Sequence, residues 1–248
     1  MVDDTTEPSR RPAGDGAPPA EVTIDVSLVA GLLADQHPDL ADLSLRPVAS
    51  GWDNAAFRLG DRLVVRLPRR ALAASHVVHE AALVPRIAAA VPLAVPVPVR
   101  LGGPGRGYPW SWSICRWIPG SDALSEAVHP TGQAADTLAA FLAALWSLDP
   151  RGAPANPWRG GPLTGRDAIT RERLARVSTR HREDPAVLAA VWEAATAAPP
   201  AVGPGVLIHG DLHPANLVVV DGRLVGVLDF GDLTVGDPAT DLVVAWSL

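Results

Sequence analysis

Apolar and polar positions change their spacing along the chain, from mostly strand-like in the first half to mostly helical in the second. Residues 25–36 and 71–90 carry apolar positions at helical spacing, and we expect Pro85 to kink or end the second helix. Short extended segments between turn residues also predict five strands in this half, at 45–49, 55–59, 63–67, 97–101 and 112–118.

The second half begins with helical spacing and returns to strands near its end. Helices are predicted at 132–148, 167–179 and 185–197, and strands at 206–208, 217–220 and 224–228. Asp221-Gly222 between the last two strands is a strong hairpin signal. We therefore predict an α+β fold of two lobes, a β-rich one at 21–117 and a mainly helical one at 118–248. Residues 1–20 lack apolar periodicity and are expected to form a disordered tail.

Composition narrows the class of protein. The 21 basic residues are all Arg, and the net charge is −6. The last 48 residues hold six Asp against one Arg, which predicts a cation site and argues against nucleic acid as a partner. A single Cys, no apolar run of membrane-spanning length and no signal-peptide pattern predict a cytoplasmic protein without a membrane association.

The predicted hairpin brings three oxygen-bearing side chains to one edge. If it folds about Asp221-Gly222, Asn216 lies opposite Val227, and Asp229 lies just beyond the same open end. Asp211 lies in the loop before the hairpin. Two carboxylates and a carboxamide are ligands that suit Mg²⁺. A zinc site of His209, Asp211 and His213 is an alternative, but it leaves Asn216 and Asp229 unexplained.

The stretch HGDLHPAN (209–216) resembles the catalytic loop of the aminoglycoside phosphotransferase and choline-kinase-like enzymes, relatives of the protein kinases. LDFGD (228–232) is similar to their metal-binding motif. The resemblance implies that Asp211 is the catalytic carboxylate, which accepts the proton of an acceptor hydroxyl. It also implies that Asn216 and Asp229 hold Mg²⁺ and that Asp241 hydrogen-bonds the backbone of the catalytic loop.

The resemblance extends to the first half, over roughly 45–248, with less specific motifs. It makes the first lobe nucleotide-binding and places a phosphate-covering turn at SGWDN, where backbone groups around Ser50, Gly51 and Asn54 contact phosphate. Arg66 stands where most relatives have a phosphate-contacting lysine, and Glu80 where they have its carboxylate partner. Without the resemblance, Arg66 and Glu80 are more simply an ordinary surface ion pair.

The segment CRWIPG (115–120) matches the hinge between the lobes, so the backbones of Arg116 and Ile118 are expected to bind the base of ATP or GTP. The implied reaction moves the γ-phosphoryl group to a hydroxyl of a small molecule, and an aminoglycoside-type antibiotic is one such acceptor. Residues 121–200 hold nine acids and eight Arg, and this nearly neutral balance does not strongly favour a cationic acceptor. The alternative is a catalytically idle nucleotide-binding module, and the Arg at position 66 keeps that alternative open.

The end of the sequence carries a further expectation. Residues 241–248, DLVVAWSL, are apolar on most faces of a helix, and relatives of this kind have further helices after it. We therefore expect the second lobe to be incomplete, with an uncovered helix that exposes Val243, Val244 and Trp246 and promotes self-association.

Overall fold

The computed structural model describes residues 18–129, 131–181, 184–199 and 203–248. Most of the tail predicted at 1–20 therefore lies outside the described residues. Within the described residues, no helix is both long enough and apolar enough to cross a membrane.

The first lobe is an antiparallel sheet with two helices. Its elements are α1 Val26–Gln36, β1 Leu45–Ser50, β2 Asn54–Leu59, β3 Leu63–Pro68, α2 Ala71–Ala88, β4 Pro98–Gly102 and β5 Trp112–Arg116. The strands lie in the order β1-β2-β3-β5-β4, which confirms the five predicted strands. Trp112, Phe57 and Leu32 are among the buried residues of the core that α1 and the sheet share.

Helix α2 contains Pro85 and continues to Ala88, so the proline does not end it. Its buried face includes Val77, Leu83 and Ile87, together with one charged residue, Glu80. Apolar contacts from both sides of Pro85 thus offset the backbone hydrogen bond that a proline removes.

The second lobe combines helices with short strands. Its elements are β6 Ser121–Asp122, α3 Thr131–Trp146, α4 Asp167–His181, α5 Pro185–Ala197, β7 Val206–Ile208, β8 Leu217–Val220, β9 Arg223–Val227 and β10 Thr234–Gly236. Strands β6, β8 and β9 form one sheet, and β10 pairs with β7. The core of this lobe packs Phe141 and Leu145 of α3 against Leu217, Val227 and Phe230.

The β8–β9 hairpin differs by one residue from the predicted register. A bulge shifts the pairing after Val218, so Val227 lies opposite Leu217 instead of Asn216. Asn216 falls in a short 3₁₀ turn, where its carbonyl accepts a hydrogen bond of 2.8 Å from the N–H of Leu228. The prediction that Asn216 and Asp229 share one end of the hairpin survives, because Leu228 immediately precedes Asp229.

The last segment is helical, as expected, and forms a 3₁₀ helix, Pro238–Trp246. Val244 is buried in the core at 3% exposure, so the expectation that it is exposed is wrong. Val243 and Trp246 are exposed at 58% and 83%, as expected. Self-association through this surface stays a prediction.

Candidate active site

The loop 209–216 between β7 and β8 is held by a buried carboxylate. Asp241, fully buried, accepts hydrogen bonds from the backbone N–H groups of His209 at 3.0 Å and Gly210 at 2.9 Å. Gly210 has a φ of +83°, and a Cβ there would lie 2.5 Å from the carbonyl oxygen of Asp232. Only glycine fits this position, and Asp241 plays the part that the resemblance implied.

His209 supports the loop from within and cannot bind zinc in this arrangement. It is fully buried, its Nε2 lies 2.9 Å from the carbonyl oxygen of Leu228, and its Nδ1 accepts a 3.2 Å hydrogen bond from the N–H of Asp211. Both ring nitrogens are therefore occupied. Among the described residues, no group of three His, Cys, Asp or Glu side chains is placed to hold a metal, so the zinc alternative is wrong.

Asp211 is half-buried and has a partner at each carboxylate oxygen. Arg159 Nη2 donates to Oδ1 at 2.6 Å, and His213 Nε2 lies 3.4 Å from Oδ2. Burial raises the pKa of Asp211, but the hydrogen bond with His213 and the charge of Arg159 outweigh it and hold that pKa below its usual range. The hydrogen bond with Asp211 in turn raises the pKa of His213. Asp211 is thus ionised at neutral pH.

Sequence reasoning missed Arg159 and assigned no chemistry to Asp232. Arg159 contacts Asp232 Oδ2 through Nε at 3.0 Å and Nη2 at 2.9 Å, and Asn156 Nδ2 donates to Asp232 Oδ1 at 2.7 Å. Arg159 comes from a Pro/Gly-rich connection that precedes the motif by some 50 residues. No local pattern marks it, because its role follows only from the path of that connection in space.

Asn216 and Asp229 lie at the predicted metal-binding end of the hairpin. Asn216 Nδ2 donates to the carbonyl oxygen of Asp211 at 2.9 Å, which fixes the amide and leaves Oδ1 as its other polar atom. Asp229 has a φ of +60° and a half-exposed side chain. One carboxylate and one amide oxygen, together with substrate phosphates, fit the ligand preference of Mg²⁺.

An ion-pair chain joins the first lobe to this end of the hairpin. Arg66 Nη1 lies 2.7 Å from Glu80 Oε2, and Arg66 Nη2 lies 3.3 Å from Asp229 Oδ1. Burial acts against the charge on Arg66, but Glu80 and Asp229 outweigh it and raise the pKa of Arg66 further. Burial also raises the pKa of Glu80, against the charge of Arg66. Because Glu80 is buried and the side chain of Arg66 is only 12% exposed, the exposed surface pair that the residues alone suggested is wrong.

The turn after β1 is held in place by its own backbone and by the two arginines that follow β3. The N–H of Gly51 donates to the carbonyl oxygen of Asn54 at 2.9 Å, so it is not one of the phosphate donors expected there. Arg69 Nη1 donates to the carbonyl oxygen of Gly51 at 2.7 Å, and Arg70 forms an ion pair with Asp53. Ser50, the last residue of β1, pairs with Ala55 across the turn.

The predicted hinge, 115–120, begins within the last two residues of β5 and continues beyond it. The N–H of Arg116 donates to the carbonyl oxygen of Val97 at 3.0 Å, which removes it from the set of base-binding groups. The side chain of Ile118 is buried and packs on Gly226, where a Cβ would lie 2.8 Å from Ile118 Cγ2. The carbonyl group of Arg116 and the backbone of Ile118 remain as the candidate hinge contacts.

Comparisons with known proteins agree with this geometry. Residues 44–248 match the model of the phosphotransferase enzyme family. An aminoglycoside 3′-phosphotransferase from Escherichia coli is 39% identical over 57 residues, which cover 23% of this chain and 21% of that protein. A second one from Escherichia coli is 28% identical over 141 residues, covering 55% and 52%. The matched stretches thus span about half, or less, of these curated relatives.

Solved structures show the same fold. The GDP complex of wild-type aminoglycoside 2′-phosphotransferase-IIIa is 20% identical, with a TM-score of 0.72, and covers 89% of this chain and 77% of that one. A macrolide 2′-phosphotransferase from Brachybacterium faecium is 28% identical, with a TM-score of 0.60 and coverages of 88% and 75%. The two-lobed, protein-kinase-like fold and the resemblance seen in HGDLHPAN and LDFGD are confirmed.

Proposed function

Because the chain belongs to the phosphotransferase enzyme family, we propose that it transfers the γ-phosphoryl group of ATP or GTP to a hydroxyl group of a small molecule. The observation that carries this proposal is the ion-pair chain from Glu80 through Arg66 to Asp229, next to the loop that presents Asp211 and Asn216. A phosphate-binding cation, metal ligands and a carboxylate base are the parts that phosphoryl transfer requires.

The nucleotide side of the site is assigned to the first lobe and the hinge. The base would contact the carbonyl group of Arg116 and the backbone of Ile118, and the phosphates would lie under the turn of Ser50, Gly51 and Asn54. Glu80 directs Arg66 towards the phosphates through their 2.7 Å ion pair. An Arg fork binds phosphate oxygens in pairs, so it fills the role of the usual lysine with different geometry.

Asn216 and Asp229 would hold Mg²⁺. When bound, the ion neutralises charge on the nucleotide phosphates. The chain itself would position the two ligand oxygens. The carbonyl of Asp211 orients the Asn216 amide, and Arg66 orients the Asp229 carboxylate.

Asp211 would orient the acceptor hydroxyl and take its proton. The hydroxyl oxygen forms a bond to the γ-phosphorus, the bond from that phosphorus to the β–γ bridging oxygen breaks, and the proton passes to the carboxylate. Oδ2 is the better placed oxygen, since its contact with His213 is long at 3.4 Å whereas Arg159 holds Oδ1 at 2.6 Å. The cytoplasm, which holds ATP and GTP, stays the predicted location.

Substitution of Asp211 by Asn tests the proposal. The variant should bind Mg²⁺ and ATP nearly as the parent does but turn over at least about 100-fold more slowly, because the base acts mainly in the transition state. Nucleotide binding is read from the thermal shift and turnover from ATP consumption with a panel of hydroxyl compounds and with water. Asp229→Ala is the companion variant, which should weaken binding of Mg²⁺ and ATP themselves.

An idle nucleotide-binding module, the second candidate, gives a different result. It is favoured only by Arg66 in place of a lysine. Such a module would be stabilised by nucleotide and would consume none, in the parent as in Asp211→Asn. Equal turnover in the parent and in Asp211→Asn, above the level without protein, would contradict the assignment of Asp211 as base.

A further inference from the structure

Among the described residues, Arg159 is the one permanently charged cation in an ion pair with Asp211, at 2.6 Å. It uses Nη2 for Asp211 Oδ1 and both Nε and Nη2 for Asp232 Oδ2, at 2.6–3.0 Å. A guanidinium has five N–H groups, and these contacts engage those on Nε and Nη2. Within the described part of the chain, Nη1 makes no hydrogen bond, and the side chain is 30% exposed. Two donors therefore remain for a bound molecule beside Asp211.

The position of Arg159 is built into the fold. Gly160 has a φ of +68°, and a Cβ there would lie 2.7 Å from Ile208 Cδ1 and 2.8 Å from the Cα of Gly236. The carbonyl oxygen of Gly160 accepts a 3.0 Å hydrogen bond from the N–H of Asp237. The connection is thus docked against β7 and β10, and the backbone next to Arg159 has little freedom to carry its guanidinium away from Asp211.

Arg159, which contacts the proposed base, also lines a cleft. The cleft has a volume of about 360 Å³ and walls that include Ala153, Pro154, Asn156 and Val235. Arg159 is the one charged residue among the described residues that line it. The lining thus offers apolar surface and hydrogen-bond donors, and it holds no carboxylate to receive an ammonium group.

Most of the described carboxylates between residues 121 and 199 already have a hydrogen-bond or ion-pair partner. Between residues 121 and 199, every described acid except Asp136 bonds a backbone N–H or an Arg side chain: Asp122, Glu126, Asp149, Asp167, Glu172, Asp184 and Glu193. A polycationic acceptor needs several unpaired carboxylates in its pocket to offset the loss of hydration of its ammonium groups. The described residues between 121 and 199 do not offer such a set.

We propose that Arg159 determines acceptor specificity, and that the acceptor is neutral and oxygen-rich, with an oxygen function beside the reacting hydroxyl instead of an ammonium group. The inference rests on the proposed function, since it assumes that Asp211 is the base. Nη1 would donate to that neighbouring oxygen, and the same guanidinium would repel a nearby ammonium ion. This chain would then differ from relatives named as aminoglycoside phosphotransferases.

Kanamycin, a polycation, is the probe that tests the inference. Titration calorimetry at low salt measures its binding to the full chain with Mg²⁺ and a non-hydrolysable ATP analogue. We expect a Kd weaker than about 1 mM for the parent and for Arg159→Lys. We expect about tenfold tighter binding for Arg159→Gln, which leaves two carboxylates without their cation. Arg151→Gln, in the same connection and 89% exposed, is the matched control and should behave as the parent does.

Two results would overturn the inference: kanamycin binding to the parent as tight as to Arg159→Gln, or phosphoryl transfer from ATP to kanamycin by the parent faster than to water. The parent measurements stand even if Arg159→Gln fails to fold. The thermal shift with Mg²⁺ and nucleotide, recorded on the same samples, separates the two proposals. Absence of that shift in the parent contradicts the proposed function, whereas a normal shift with tight kanamycin binding contradicts the acceptor class alone.

Discussion

Breaking the buried ion pair of Arg66 and Glu80 should destabilise the protein more than removing both charges together. The two side chains are 12% and 4% exposed and lie 2.7 Å apart. Arg66→Met leaves the Glu80 carboxylate buried without its counter-charge, which costs about 3–5 kcal/mol of unfolding free energy. Asp229, the other carboxylate near Arg66, is 49% exposed, so solvent screens it and its loss of a partner adds little.

The double variant Arg66→Met, Glu80→Leu should recover most of that loss. Replacing both members of a buried pair with apolar residues of similar volume is often neutral, or stabilising by about 1–4 kcal/mol. The site favours this outcome, because Glu80 Oε1 is buried and has no hydrogen-bond partner among the described residues. Leucine at position 80 therefore removes an unsatisfied polar atom along with the charge.

Urea unfolding measures these differences from the midpoint and the slope m. Arg100→Met is the matched control, since Arg100 lies 4.0 Å from Asp39 and both side chains are more than half exposed. Its effect should stay within about 1 kcal/mol. The reasoning is refuted if the double variant is as unstable as Arg66→Met at an unchanged m, because the cost would then come from lost packing and not from the unpaired charge.

Two further predictions concern other carboxylates. Asp241→Ala leaves two buried backbone N–H groups without an acceptor, at about 1–3 kcal/mol each, so thermal unfolding should occur at a clearly lower temperature; a Tm equal to that of the parent would contradict this. The pKa of Asp167 is lowered from its usual range, first by a hydrogen bond from the indole of Trp192 and then by Arg171. Its contribution to stability is therefore present at neutral pH and lost as the pH falls through that lowered value. The Tm difference between the parent and Asp167→Asn should vanish in acid, and a difference that persists there would exclude this linkage.

The strands, the helices and the catalytic motifs could be predicted because each depends on residues close in sequence. Short extended segments between turn residues specify neighbouring strands of the first sheet, and Asp221-Gly222 specifies the second hairpin. The one-residue error in that hairpin arose at its bulge. A bulge adds a residue to one strand without changing the apolar pattern enough to be seen.

The contacts of the candidate site also differ in whether their partners lie close together in the sequence. Asn216 with the carbonyl of Asp211 is a contact across five residues, and the motif contains it. Arg159 with Asp232 spans 73 residues, and it exists because Gly160 docks against Gly236. Neither glycine stands out among the 22 in the chain, so no reading of the sequence alone separates Arg159 from the other arginines.

The carboxylate contacts of Arg66 and Arg159 share one property, which follows from the use of Arg and never Lys as the basic residue in this chain. An ammonium group is one compact charge, whereas a guanidinium is a planar fork that bonds two carboxylates in different directions. Arg66 uses that fork to link Glu80 with Asp229, and Arg159 uses it to link Asp211 with Asp232. In both places an Arg joins a supporting carboxylate to one that is proposed to take part in the reaction. Arg66 and Arg159 therefore hold Asp229 and Asp211 in place before substrate binds, so lysine at either position would keep the charge and lose one of the two connections.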